Sequence, residues 1–272
     1  MTEVLARLER YYDAVPRAAA RAEDFGPLTL FVRDGIGWPY YARPALGSDG
    51  RVGRADVDKV RERQRALGVP ECFEWVAETT PGLREAAEAS GLHVHAHPLM
   101  VLDPGAAGAA PVPVDGVDVR VLEPGDPAFA GAITVPHLAF AHPGAAIGPA
   151  GTGELDAARV LHAAPAALAA AEARVKDGLT VHAAAVDGTT ALCAGQYNPV
   201  GEVCEIVAVG TLPSARRRGL ALAVTSVLVA HARARGMGTV FLSAGDEDVA
   251  RIYGRIGFRR VGTALIAEPA AG

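Results

Sequence analysis

The chain has 272 residues, half of them apolar, and a formal net charge of −5. That length holds one large domain or two smaller ones, and the mild acidity excludes a general nucleic-acid binder held by phosphate contacts. Positive charge is almost all arginine, Lys59 and Lys176 being the only lysines, which together with the alanine content reads as genome composition.

Residues 1–103 read as one unit. Thr2 can cap a helix whose apolar positions include Val4, Leu5 and Leu8. Strand-like runs come next at Leu28–Val32 and Trp38–Ala42, the second disturbed by proline and glycine. Asp56–Leu67 reads as a helix ended by Gly68, Phe73–Ala77 as a strand, Pro81–Ser90 as a helix and Leu92–Leu102 as a broken strand. The stretch Asp103–Gly116 is rich in Pro, Gly and Ala without periodicity, and residues 104–116 are assigned as a linker.

The second unit, 117–272, opens with a strand at Val117–Leu122. Ala128–His142 is helical in part, interrupted by Pro136, and Leu155–Lys176 is helical around Pro165. Thr180–Val186, Asp187-Gly188 and Thr189–Gln196 make a hairpin. Glu202–Val209 is the next strand. A helix begins after Gly219 with Leu220, Val224, Val227 and Leu228 on one face. Then come a strand at Thr239–Ser243, a short helix at Asp246–Arg255 and a last strand at Arg260–Ile266. The fold class is α/β (α+β), a mixed sheet with helices on both faces.

Cys72, Cys193 and Cys204 are far apart and odd in number, as suits reduced core residues of a cytosolic protein; no metal site is expected. Met1–Arg10 is amphipathic and charged rather than an apolar signal region, and no run approaches bilayer length, so neither a membrane nor a nucleic acid is expected as partner.

The most informative stretch is strand Cys204–Val209, break Thr211–Ser214, then Arg216-Arg217-Arg218-Gly219-Leu220-Ala221 opening a helix. A helix that begins on a glycine directs free N–H groups at open space, where a phosphate can accept them. Three arginines there are unfavourable for the helix dipole unless something anionic sits nearby.

On these residues the second unit resembles the GNAT (N-acetyltransferase) superfamily. Arg216, Gly219 and Ala221 match its Arg/Gln-x-x-Gly-x-Gly/Ala signature. Tyr253, followed by three residues and then Gly257-Phe258, looks like its second landmark. The resemblance implies acetyl-CoA or another acyl-CoA as cofactor. In that reading the turn Arg216, Arg217, Arg218, Gly219, Leu220, Ala221 and Leu222 holds the pyrophosphate, chiefly through the amides from Arg217 on. The main chain of Val209, Gly210 and Thr211, on a strand that splays from its neighbour, pairs with the pantetheine arm. The implied activity is direct acetyl transfer to an amine of a small-molecule or peptide acceptor. The alternative is a catalytically silent acyl-CoA sensor or partner-binding module.

Tyr253, by its match to the family tyrosine, is the candidate acid for the leaving thiolate; the competing reading is a core tyrosine on a short amphipathic helix. Glu205 stands in an apolar strand, in phase with Val207 and Val209 by simple alternation, and is either a base or a strand-edge glutamate paired with an arginine. His137, His142 and Tyr197, with Asn198, are candidates to contact the acceptor, against ordinary loop or core roles. Asp246 stands where the family often has an asparagine that bonds the cofactor arm.

Setting Gly257-Phe258 over Gly91-Leu92 puts Ala87 over Tyr253, and the helix from Asp56 opens on acidic residues that repel phosphate. The first unit therefore resembles a degenerate GNAT half packed against the active one, an unrelated α/β domain being the rival reading. Two fused halves make a monomer as natural as a homodimer, and the expected compartment is the cytoplasm.

Overall fold

The computed structural model describes residues 3–106 and 113–270. The Thr2 cap and residues 107–112 of the expected linker lie outside them. Among the described residues the chain forms a mixed α/β architecture of eight α-helices and eleven strands. It divides into two compact units, one of residues 1–100, 243–250 and 260–272, the other of residues 101–242 and 251–259.

In the first unit, helix α1 (Glu3–Arg17) buries Leu5, Leu8, Tyr11 and Tyr12. Strands β1 (Ala20–Asp24), β2 (Leu28–Arg33), β3 (Ala42–Pro44), β4 (Phe73–Val76) and β5 (His93–Leu102) belong to it, with helices α2 (Arg54–Leu67) and α3 (Gly82–Ala89). Strand order is β1-β2-β3-β4-β11-β5, where β11 (Phe258–Glu268) is the last strand of the chain. It pairs antiparallel with β4, Leu265 opposite Trp75. Leu28, Leu30, Val57, Val60, Phe73, Trp75, Leu83 and Leu265 form the core here.

The second unit orders its strands β10-β9-β8-β7-β6: β6 (Asp118–Leu122), β7 (Val181–Asp187), β8 (Thr190–Val200), β9 (Val203–Thr211) and β10 (Thr239–Ser243). All neighbours are antiparallel except β9 and β10. Helices α4 (Phe129–Ala141), α5 (Thr152–His162), α6 (Pro165–Lys176) and α7 (Leu220–Ala234) lie in this unit. The short α8 (Glu247–Gly254) comes after β10.

Cross-strand partners share a face of the sheet, which settles what lies on each side of β8. A β-carbon on Gly195 would meet Leu228 of α7, and the Tyr197 hydroxyl bonds to His231 of α7 at 2.9 Å. Cys193, Gly195 and Tyr197 therefore face α7. Ala194, Gln196 and Asn198 face the other way, towards α4, whose Pro136 and Ala139 press on Gly210 opposite Ala194.

Several elements differ from expectation. The strand expected at Trp38–Ala42 is confined to Ala42–Pro44, since Gly37 and Pro39 keep the preceding residues irregular. β1 is an addition: its sequence, Ala-Arg-Ala-Glu-Asp, lies at an exposed sheet edge and carries no apolar alternation. β5 is one continuous strand despite Pro98. Pro136 does not interrupt α4, which runs on to Ala141; burial against Gly210 offsets the forfeited helical hydrogen bond. Pro165 instead divides α5 from α6 and takes the first position of α6, where its missing N–H costs nothing.

A β-carbon at Gly210 would lie 2.8 Å from Ala139 Cβ and 3.0 Å from the Pro136 Cα. The second contact is backbone and cannot swing aside. Gly210→Ala is expected to cost about 1–3 kcal/mol by overpacking, lowering Tm by about 2–4 °C per kcal/mol. A thermal melt that superimposes on the parent would show that α4 is not seated on β9.

Candidate functional site

Strand β9 does not keep both its neighbours along its length. Against β10 only its first three residues pair, Val203, Cys204 and Glu205, with Thr239, Val240 and Phe241. Beyond Glu205 it keeps its pairing with β8 up to Thr211. Its other edge is thus released from the ladder over Ile206–Thr211, a gap that opens at Glu205. Main-chain groups along such an edge need partners.

The same stretch is bulged. Ala194 pairs with Gly210 but Gln196 with Val207, so Ala208 and Val209 stand opposite Gly195 alone. Ala208 takes the left-handed φ of 55° that such an extra residue demands. Gly195 is what lets the bulge close: a β-carbon there would fall 2.9 Å from Val209 Cγ2. The bulge also corrects the expected phase of the strand. Glu205 shares its face with Val207 and Gly210, on the α4 side, whereas Val209 turns to the α7 side.

Past β9 the chain makes a short 3-10 turn at Pro213–Ala215, passes through Arg217 with φ 67° and Gly219 with φ 79°, and enters α7. The first intrahelical bond is from Ala223 N–H to the Gly219 carbonyl, 3.1 Å. The amides of Leu220, Ala221 and Leu222 precede it, and Gly219 has no side chain to cap them. Among the described residues two other helices have glycine at the N-cap, and both carry a capping carboxylate. In α2 the Asp56 carboxylate accepts the Gly53 N–H at 3.0 Å, and in α5 the Glu154 carboxylate accepts the Gly151 N–H at 2.7 Å. The Gly151 amide is the leading cause holding the Glu154 carboxyl below its ordinary range. In α7 the equivalent position is Leu222, which can accept nothing, and the adjoining Arg217, Arg218 and Gly219 are exposed.

Arg216 points elsewhere. Its guanidinium donates to the carbonyls of Ala139 and His142 at the end of α4, and to that of Ala146 at 3.2 Å. A cation there satisfies the orphan carbonyls of the helix. Gly148 N–H to the Pro213 carbonyl, and Ser214 N–H to the Ala150 carbonyl, fasten the loop after α4 to the same turn. Arg216 thus joins the end of α4 to the turn before α7, rather than turning its charge outward like Arg217 and Arg218.

Tyr253, on α8, is buried, with 7% of its surface exposed, and its ring lies edge-on to Phe258. Burial, with Cys193 adding to it, pushes the phenol above its ordinary range; the Thr225 hydroxyl acts in the opposite sense. Thr225 Oγ1 nonetheless makes no hydrogen bond of normal geometry. The Thr211 hydroxyl donates to Cys193 Sγ at 3.2 Å. Burial pushes the Cys193 and Cys204 thiols up to about 12, which leaves both unreactive.

The remaining candidates separate. Tyr197 is 1% exposed and bonded to His231, so it is a core residue on the α7 face and cannot line a groove. Asn198 lies on the Glu205 face, directly across from it, and accepts the Thr180 hydroxyl at 2.9 Å. His142 is exposed at the end of α4, its Nδ1 3.0 Å from the Leu138 carbonyl. His137 stacks on His162 of α5, ring centroids 3.8 Å apart. Asp246 caps α8 through the Val249 N–H at 2.8 Å, which explains an aspartate there. Sequence reasoning missed the His162 stack, the Ala208 bulge and Thr225, none of which has a local signature. Among the described residues no three His, Cys, Asp or Glu side chains are arranged to hold a metal, and no helix is long and apolar enough to cross a membrane.

Comparison with known proteins bears on the fold. Residues 184–265 match the family model of FR47-like proteins. The whole chain superposes on a GCN5-related N-acetyltransferase from Kribbella flavida, with TM-score 0.64, 20% identity and coverage of 100% of this chain and 98% of that one. A GCN5-related N-acetyltransferase from Sphaerobacter thermophilus gives TM-score 0.60 and 20% identity over 97% of this chain and 86% of the other. A tandem GNAT protein from the clavulanic acid biosynthesis pathway gives 0.54 and 16% over 90% and 79%. No curated protein matches in sequence. The fold is therefore the one that these solved N-acetyltransferase structures share, as the resemblance of the second unit led one to expect.

Burial holds His137 and His182 at about 4, with His162 and Arg174 respectively adding to the effect. The unfolded chain protonates both near the ordinary 6.5. Between those values the unfolded state binds more protons, so stability must fall as pH falls from about 6.5 towards 4. Thermal melts across that window are expected to show Tm declining, with a shallower slope in His182→Asn. A Tm that rises on acidification would contradict the neutral buried imidazoles.

Proposed function

We propose that this chain is an acyl-CoA-dependent N-acyltransferase that passes an acetyl group directly from the thioester to an amine. The observation that carries the proposal is the open amide cluster at the start of α7, placed next to the released, bulged edge of β9. The residues present fit the cofactor. The N–H groups of Leu220, Ala221 and Leu222 are unclaimed within the helix and would donate to a diphosphate. Exposed Arg217 and Arg218 supply positive charge beside it. Gly219 permits the left-handed entry, and Ala221 is small. Arg216 contributes by holding the turn against α4. Val209, Gly210 and Thr211 offer main chain to the amide-bearing arm of the cofactor.

The thioester supplies the acyl group and a sulfur leaving group. This chain's residues divide the proton work between the faces of β9. Glu205, at the vertex of the gap and on the α4 face, takes a proton from the incoming amine, directly or through water. Tyr253 acts on the α7 side. A phenol held above its ordinary pKa stays protonated at neutral pH and donates to the departing sulfur. His142, at the end of α4, lies where an acceptor approaches the same turn. His137, stacked and neutral, serves acceptor contact rather than charge. The first unit is a copy whose helix α2 is plugged by its own Asp56 and which no longer binds the cofactor.

Two variants test the reading. Leu222→Glu gives α7 the self-closing carboxylate of α2 and α5. It is expected to raise Tm slightly, since a completed cap contributes about 0.5–2 kcal/mol, while abolishing the Tm shift caused by acetyl-CoA. Retained cofactor binding in that variant would mean the diphosphate sits elsewhere. Tyr253→Phe is expected to lower kcat for thiol release from acetyl-CoA with a primary-amine panel by about 10²-fold or more, leaving cofactor affinity intact. Binding without thiol release from the parent protein would favour the silent sensor.

A further inference from the structure

Two contacts fix which main-chain groups of β1 are spent on β2. The Asp34 N–H donates to the Ala19 carbonyl at 3.0 Å, and the Phe25 N–H to the Leu28 carbonyl at 2.9 Å. In an antiparallel ladder the bonded pairs recur at every second residue. Arg21 and Glu23 therefore bond to their opposites, Val32 and Leu30, while the N–H and C=O groups of Ala20, Ala22 and Asp24 point off the sheet. β1 ends the strand order on that side, and Ala22 and Asp24 are exposed. An edge of this kind is a template for another strand. At its Ala20 end the loop after β2 exposes Ile36 and Trp38, 57% and 48%. Arg33, opposite Ala20, fastens that loop: its Nε donates to the Trp38 carbonyl, and its guanidinium lies 4.4 Å from the centre of the Tyr40 ring.

We infer that β1 is a docking edge for a second copy of this chain, joined as a two-fold antiparallel pair centred on Ala22. The charges say why the occupant is another β1. Laid antiparallel on itself, Ala20-Arg21-Ala22-Glu23-Asp24 sets Ala22 opposite Ala22, Ala20 opposite Asp24 and Arg21 opposite Glu23. The residues whose main-chain groups point off the sheet then meet as the bonded pairs. Arg21 and Glu23 meet as the unbonded pairs, where side chains lie closest, with Cα atoms about 4.5 Å apart. Sliding the strands one way sets Arg21 against Arg21, and the other way Glu23 against Glu23; a parallel in-register pairing does both, and like charges directly opposite repel. Glu23 already gathers cations on this face: Arg63 of α2 donates to both its oxygens, at 2.7 and 3.0 Å, and its own Arg21 to one of them at 3.2 Å. In the pair Arg21 passes from its own Glu23 to that of the second copy. The contact is isologous and closes on itself. A five-residue edge is small beside a standard interface of about 1,600 Å², so the dimer is concentration-dependent rather than permanent.

Sedimentation velocity over a series of protein concentrations tests this. The parent is expected to pass from monomer to dimer as concentration rises. Ala22→Pro removes an N–H that serves no bond to β2; it is expected to stay monomeric throughout while keeping the circular dichroism of the parent. Arg21→Glu sets glutamate against Glu23 and is expected to raise the dissociation constant about tenfold or more. Cross-linking reads the register. Bonded pairs lie about 5.5 Å apart at Cα, within reach of a disulfide, and the native cysteines Cys72, Cys193 and Cys204 are buried. With oxidised glutathione, Ala22→Cys is expected to form a disulfide-linked dimer much faster than Asp24→Cys, which is exposed but faces Ala20 in this register. A parent that is monomeric at every concentration overturns the inference. So does a dimer that survives Ala22→Pro, or equal cross-linking of the two cysteine variants, since either puts the contact elsewhere. If Ala22→Pro does not fold, Arg21→Glu and the cross-linking rates decide by themselves.

Discussion

A strand in the middle of a sheet is expected to pair along both edges, and β9 does so only as far as Glu205. That one failure organises the second unit. The released edge must find main-chain partners, the bulge at Ala208 and Val209 turns the strand as it leaves β10, and Gly195 has to be a glycine for the bulge to close. The chain then turns through two left-handed residues into a helix with no cap. Each feature costs stability by itself. Together they place a strand edge released from β10 and an uncapped helix start within the same few residues.

The helix starts supply an internal control. Among the described residues three helices have glycine at the N-cap, and two of these are closed by an acidic side chain three positions on, Asp56 in α2 and Glu154 in α5. The third carries a leucine there and arginines ahead of it. The difference is one of charge: two ends carry an acidic side chain that bonds back to the cap, and one carries arginines. Arg216 lies within this basic run but does another job, tying the end of α4 to the turn and so holding the α4 side of the site in register with the α7 side.

Local periodicity made most elements legible. The hairpin around Asp187-Gly188, the strand Thr239–Ser243 and the helix after Gly219 have the expected positions because each is set by alternation, a turn or a cap in its own sequence. The resemblance of Arg216–Ala221 and Tyr253 to the superfamily is likewise local, and the fold agrees with it. The illegible features depend on pairing. Strict alternation puts Val209 in phase with Glu205, and only the register with β8 reveals the bulge that separates them. Tyr197 looks available because it ends an apolar run, yet its hydroxyl is claimed by His231, far along the chain. β1 escapes notice because an edge strand with charged side chains has no buried face to write a pattern.

Titrating 15N-labelled protein with acetyl-CoA and tracking every backbone amide tests the central claim most directly. The account predicts that the largest shifts fall on Gly219 to Leu222 and on Val207 to Thr211, with the amides that open α2 unmoved. Perturbation concentrated at the start of α2, with the α7 amides silent, would contradict it.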